Sequence, residues 1–168
     1  MESSIKEKIV LTGPDWVLIV LNWALLGMMW LFCIKGFMKL PDQIPTHFGI
    51  SGEVDGYGTK STVFLLPALG TLLSSVFMML MQFPGSFNFP VAVTDTNRDK
   101  LYRLGKQSLI WLQLGITLLF SFLVMGIFGT ATHCMKGLPA WGTPVAVAVL
   151  LAPLLYFAVK MFRVNKVG

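Results

Sequence analysis

The sequence predicts an all-α integral membrane protein, a bundle of four transmembrane helices with a structured outer loop between helices 1 and 2. Three observations predict it. Hydrophobic residues make up 55% of the 168-residue chain and charged residues 12%, with a mean hydropathy of +0.71, a balance wrong for a soluble domain of this length. Four apolar stretches are each long enough to cross about 30 Å of hydrocarbon, which takes about 20 helical residues. Finally, the basic residues that give the chain its net charge of +5 are unevenly shared among the intervening segments. The chain reads as a single membrane domain, 1–168.

The first span is placed at residues 16–34 and contains no Lys, Arg, Asp or Glu. Lys6 and Lys8 precede it as in a signal peptide, but the apolar run is too long and no small-residue cleavage site follows it, so the span is expected to stay in place. The outer loop, 35–61, holds Pro41 and Pro45, which push their preceding residues into extended conformations. It also holds Gly49, Gly52, Gly56 and Gly58, which permit tight turns. A compact, specifically shaped cap is expected there, neither helix nor polar linker.

The second span, 62–83, is also free of charge; Pro67 is expected to kink it, and Gly70 with Ser74 forms a small-xxx-small step for close helix packing. A cytoplasmic loop, 84–107, carries Arg98, Lys100, Arg103 and Lys106 at near-helical spacing, read as a basic stretch on anionic headgroups. The third span is 108–130. The fourth, 141–162, contains Pro153 as a second expected kink and meets its first charge at Lys160, where the long stem snorkels. Asn22 and Gln113 are polar at membrane depth and are expected to face the interior and find hydrogen-bond partners.

Orientation follows from the bases. Lys6, Lys8, the four bases of the 84–107 loop, Lys160, Arg163 and Lys166 fall on one side, against Lys35, Lys39, Lys60 and Lys136 on the other. The positive-inside rule puts both termini in the cytoplasm of a multi-pass plasma (inner) membrane protein, with the loops around His47 and His133 outside. Trp16, Trp111 and Tyr156 near the inner ends, and Trp30 and Trp141 near the outer ones, fit interfacial belts.

The outer loop also carries a resemblance. Leu40, Pro41, Ile44, Pro45, His47, Phe48, Gly52, Asp55, Tyr57, Gly58 and Lys60, followed by an apolar helix with Pro67, resemble a family of bacterial membrane proteins with a domain of unknown function, number 1648. That domain is related to the N-terminal part of SdpI-type immunity proteins. Phe87, Asn88, Phe89, Pro90 and Val91, with Thr94, Asn97, Arg98, Tyr102, Arg103 and Leu104, are similar to its short stand-alone members. The resemblance implies a four-span form and a role in immunity or signalling. It marks Pro41, Pro45, His47, Gly52, Asp55 and Lys60 as a ligand-binding or structural motif, and Asn97, Arg98, Tyr102 and Arg103 as a cytoplasmic one.

Chemistry is sparse. His47, Asp55 and His133 are candidate ligands for a divalent metal, although their spacing matches no established motif and no cofactor is expected. Asp55 has an alternative role as a turn-former, and Lys60 either pairs with Asp55 or sits at the lipid interface. Cys33 and Cys134 are expected near the outer surface, either as a disulfide or as two free thiols. Walker-type, H-E-x-x-H and G-x-S-x-G motifs are missing, and four bases beside a bilayer are too small a footprint for nucleic acid.

The expectation is therefore a non-catalytic protein whose partners are the lipid bilayer and an envelope peptide, lipid or protein factor. A small oligomeric transporter or channel subunit, with a homo-oligomer lined by Asn22 or Gln113, is the alternative. A metal-dependent membrane enzyme using the outer cluster comes third.

Overall fold

The computed structural model describes residues 11–164, so the expectations that fall on Lys6, Lys8 and Lys166 lie outside the described residues. Four helices, α1 (Gly13–Gly36), α2 (Leu65–Leu80), α3 (Arg98–Ala131) and α4 (Gly142–Val164), alternate in direction, and each is long and apolar enough to cross a membrane, α2 together with the 3-10 turn that precedes it (Lys60–Leu80). Two short strands, β1 (Gln43–Phe48) and β2 (Val54–Thr59), pair antiparallel between α1 and α2. One end of the bundle is thus capped by a hairpin and the other by the 81–97 loop.

Boundaries differ from those expected where polar residues extend a helix. α1 begins at Gly13, with Pro14 in its first turn and Asp15 buried. The backbone N–H and hydroxyl of Thr12 both donate to the Asp15 carboxylate, at 2.8 and 2.6 Å, and Gln107 of α3 adds a third bond at 3.1 Å. That carboxylate satisfies donors the first turn leaves free.

α3 is longer still, because the basic residues expected in a loop continue its helix. At 34 residues it is about 50 Å long and outruns the hydrocarbon. Lys106 turns inward and is buried, unlike exposed Lys100 and Arg103, so it does not belong to the exposed basic stretch expected to meet headgroups.

Pro67 falls in the first turn of α2, directly after a 3-10 turn over Lys60–Phe64. A missing donor there removes little of the helix ladder, so Pro67 marks the junction instead of kinking the span. Pro153 does lie inside α4.

The bundle interior is joined by polar contacts. Asn22 of α1, fully buried, donates to Ser74 Oγ of α2 at 3.0 Å and accepts from Thr117 Oγ1 of α3 at 2.7 Å. Trp30 Nε1 donates to Thr71 Oγ1 at 3.0 Å. Such bonds between membrane helices contribute about 0.6 kcal/mol each. Gly70 keeps α2 near α1, since a Cβ there would stand 2.8 Å from Leu26 Cδ2. Gln113 is buried as expected, but among the described residues neither end of its amide has a hydrogen-bond partner.

Candidate functional site

The hairpin is built on apolar anchors. Ile44 and Pro45 of β1 are fully buried, and Ile44 joins Cys33, Leu40, Val63, Val124 and Phe128 in one cluster that roots β1 on the helices. Burying Ile44 contributes about 2 kcal/mol. Pro45 stands opposite Tyr57 at the start of an irregular stretch of the ladder, an arrangement that tolerates a residue with no N–H to give. Pro41 is exposed, in the link that precedes β1.

Lys60 closes the base. Its backbone N–H donates to the Asp42 carbonyl at 3.0 Å and its ammonium meets Asp42 Oδ1 at 2.9 Å, with the Phe37 ring centroid 5.5 Å from Nζ. The partner of Lys60 is therefore Asp42 and not Asp55: the two residues lie at the two feet of the hairpin, whereas Asp55 lies farther along β2. Lys60 holds the Asp42 carboxyl below its ordinary value through a hydrogen bond and its charge.

Gly52 fixes the tip. Its φ of +86° is open to glycine at little cost, and its N–H donates to the Gly49 carbonyl at 2.9 Å. Its own carbonyl accepts the Leu138 N–H at 2.8 Å, pinning the tip to the segment between α3 and α4. A Cβ on Gly52 would lie 2.1 Å from the Leu138 carbonyl oxygen, and one on Gly137 2.4 Å from the Gly52 oxygen. Beside the tip, the Ser51 hydroxyl donates to Glu53 and holds that carboxyl below its ordinary value.

His47 and Asp55 remain. His47 lies opposite Gly56 across the ladder, and its Nδ1 donates to Asp55 Oδ1. The pair is open to solvent, with side chains 73% and 46% exposed. Tyr57 of β2 and Ile50 of the connecting turn are also exposed, at 66% and 89%. The hairpin is thus held by the buried residues of β1, while an imidazole–carboxylate pair, Tyr57 and Ile50 are left exposed.

His133 is not brought into that pair. It adopts φ 59°, the left-handed conformation that ends a helix, and its N–H donates to the Thr130 carbonyl at 3.1 Å just past α3. Among the described residues no group of three His, Cys, Asp or Glu gathers as metal ligands. Cys33 is buried and Cys134 exposed, and both are free thiols.

At the other end the expected motif is structural. Asn97 is buried; its Oδ1 accepts the Thr94 N–H at 2.8 Å and its Nδ2 donates to the Ala92 carbonyl at 3.0 Å, shaping the turn into α3. Arg98 pairs with Asp95. Tyr102 stacks on Phe89, whose ring also meets Phe87, with centroids 5.7 and 6.0 Å apart. Arg103 is exposed.

Residues 24–71, which run from α1 through the hairpin into α2, match a family model described as a domain of unknown function (DUF1648). An uncharacterized protein of Archaeoglobus fulgidus is 28% identical over 88 residues, 48% of this chain and 48% of its own length. The chain thus spans about half the length of that relative. No solved structure matches. Neither description names a catalytic activity, and the segment that the family model matches contains the whole hairpin with both of its feet.

Proposed function

We propose that the protein is a non-catalytic membrane receptor whose hairpin recognises a peptide or other factor of the cell envelope. The observation that carries this reading is the uneven exposure of the hairpin: Ile44 and Pro45 are buried and root it on the helices, while His47, Asp55, Tyr57 and the turn residue Ile50 are open to solvent. Rigid scaffolds with exposed aromatic and polar groups are the common form of binding sites. Immunity and signalling, implied by the SdpI-type resemblance, are the settings such a receptor suits.

A photo-crosslinking residue at position 57, compared with one at lipid-facing position 79, tests it in intact cells. A discrete adduct from position 57 alone, lost with His47→Ala or Asp55→Ala, is the expected result. Identical products from both positions would remove the reading.

In the same proposal the hairpin faces outward from the plasma membrane, as the basic residues favour. Cys134 is exposed at the hairpin end and Cys33 is buried, so a membrane-impermeant maleimide should label Cys134 on intact cells. Labelling only after lysis would invert the orientation.

A second reading, a small oligomeric transporter subunit, draws on Gln113, a buried amide without a partner among the described residues. Flux of a small polar solute into proteoliposomes, reduced by Gln113→Leu, would support it; equal leakage from empty vesicles would end it.

A further inference from the structure

Between α3 and α4 runs a groove of ≈ 580 Å³ that combines two chemistries. Trp111, Val149, Pro153 and Phe157 make it apolar, and Lys160 stands at one end. Because α4 returns antiparallel to α3, the C-terminal part of α4, with Lys160 and, in its last turn, Arg163, lies at the end where α3 begins with Arg98, Lys100 and Arg103.

The cation has a fixed place, with Nζ 4.7 Å from the centroid of the Tyr156 ring. Among the described residues no acidic side chain lines the groove to neutralise it, and the Gln107 amide in its wall is given to Asp15. Trp111 and Tyr156 are 41% and 55% exposed, so the groove opens sideways to the bilayer. Pro153 adds a second feature: having no N–H, it leaves the Val149 carbonyl in the groove wall without its helical donor.

We propose that this groove is a binding site for one phospholipid with an anionic headgroup, its phosphate at Lys160 and an acyl chain lying past Trp111 and Pro153. Any acyl chain can fill an apolar cleft within a bilayer; charge selects among headgroups. Juxtamembrane bases attract anionic lipids, and a base at the mouth of an apolar groove fixes the headgroup and the chain together. The proposal holds for whichever leaflet meets the basic end and is independent of what the hairpin binds.

Native mass spectrometry of the full chain in detergent, titrated with dioleoyl phosphatidylglycerol or dioleoyl phosphatidylcholine, tests it. One phosphatidylglycerol should bind about fivefold more tightly than phosphatidylcholine. Lys160→Gln should abolish the preference, Lys160→Arg should keep it, and Lys100→Gln, a basic residue outside the groove, should leave it unchanged. Equal binding of the two lipids, or an equal loss with Lys100→Gln, would overturn the site in favour of a diffuse basic surface.

Discussion

The two ends of the bundle differ in how much of their structure rests on polar side chains. At the hairpin end, glycine geometry, buried aliphatic residues and the Lys60–Asp42 pair at the base hold the backbone, which leaves His47 and Asp55 exposed. At the loop end, polar side chains hold the backbone themselves: Asn97 ties Thr94 to Ala92, Arg98 takes Asp95, and Tyr102 lies on Phe89. Of the two sets of residues, Asn97, Arg98 and Tyr102 are engaged in local contacts, whereas His47 and Asp55 contact each other and are otherwise open to solvent.

Substitution at the pivot of each end sharpens this contrast, and the larger effect belongs to the hairpin. Gly52→Ala places a Cβ against the Leu138 carbonyl at a positive φ, so it should cost about 2–3 kcal/mol, read as a fall in melting temperature of the detergent-solubilised protein. Asn97→Ala removes two bonds from the turn before α3 and should cost about 1 kcal/mol by the same measurement. His47→Ala should leave the melting temperature unchanged within error. If it melts as early as Asn97→Ala, the hairpin pair is structural and the contrast between the ends collapses.

Much of the fold was legible because membrane insertion writes long, nearly charge-free windows into a sequence, and all four expected spans are helices. The β-hairpin was not, since Gln43–Phe48 and Val54–Thr59 are short, rich in Gly and Pro, and lack the clean alternation that marks a strand. Only the turn chemistry showed, which is why a shaped cap was expected without strands. The start of α1 was available in principle, for Thr12 followed three residues later by Asp15 before an apolar run is a capping pattern.

Pairings across the chain were less accessible. Asn22 was readable as interior, whereas Ser74 and Thr117 as its partners required the helix rotations. Lys60 lies 18 positions from Asp42 and five from Asp55, and sequence distance favours the wrong acid; only the antiparallel register brings the feet of the hairpin together. His133, which resembled a ligand by residue type, serves through its backbone at a helix end.

The smallest expected effect concerns that foot. Asp42 is held below its ordinary value of 3.8 by Lys60, so the folded state favours the ionised form more than the unfolded chain does. The linkage stabilises the hairpin base above the unfolded value and is lost as pH falls through the lower folded one. The Asp42 side chain is 92% exposed, so the change should be slight and screened by salt. Hydrogen exchange of the Lys60 amide, which donates to the Asp42 carbonyl, should quicken relative to the Leu138 amide at the tip when the pH drops from 6 to about 3, after correction for intrinsic rates. Asp42→Asn should remove that pH dependence while leaving the tip protected. Equal loosening of both amides would mean that the hairpin opens as one unit from its tip, and the Lys60 clamp would then contribute nothing separate to holding the exposed pair in place.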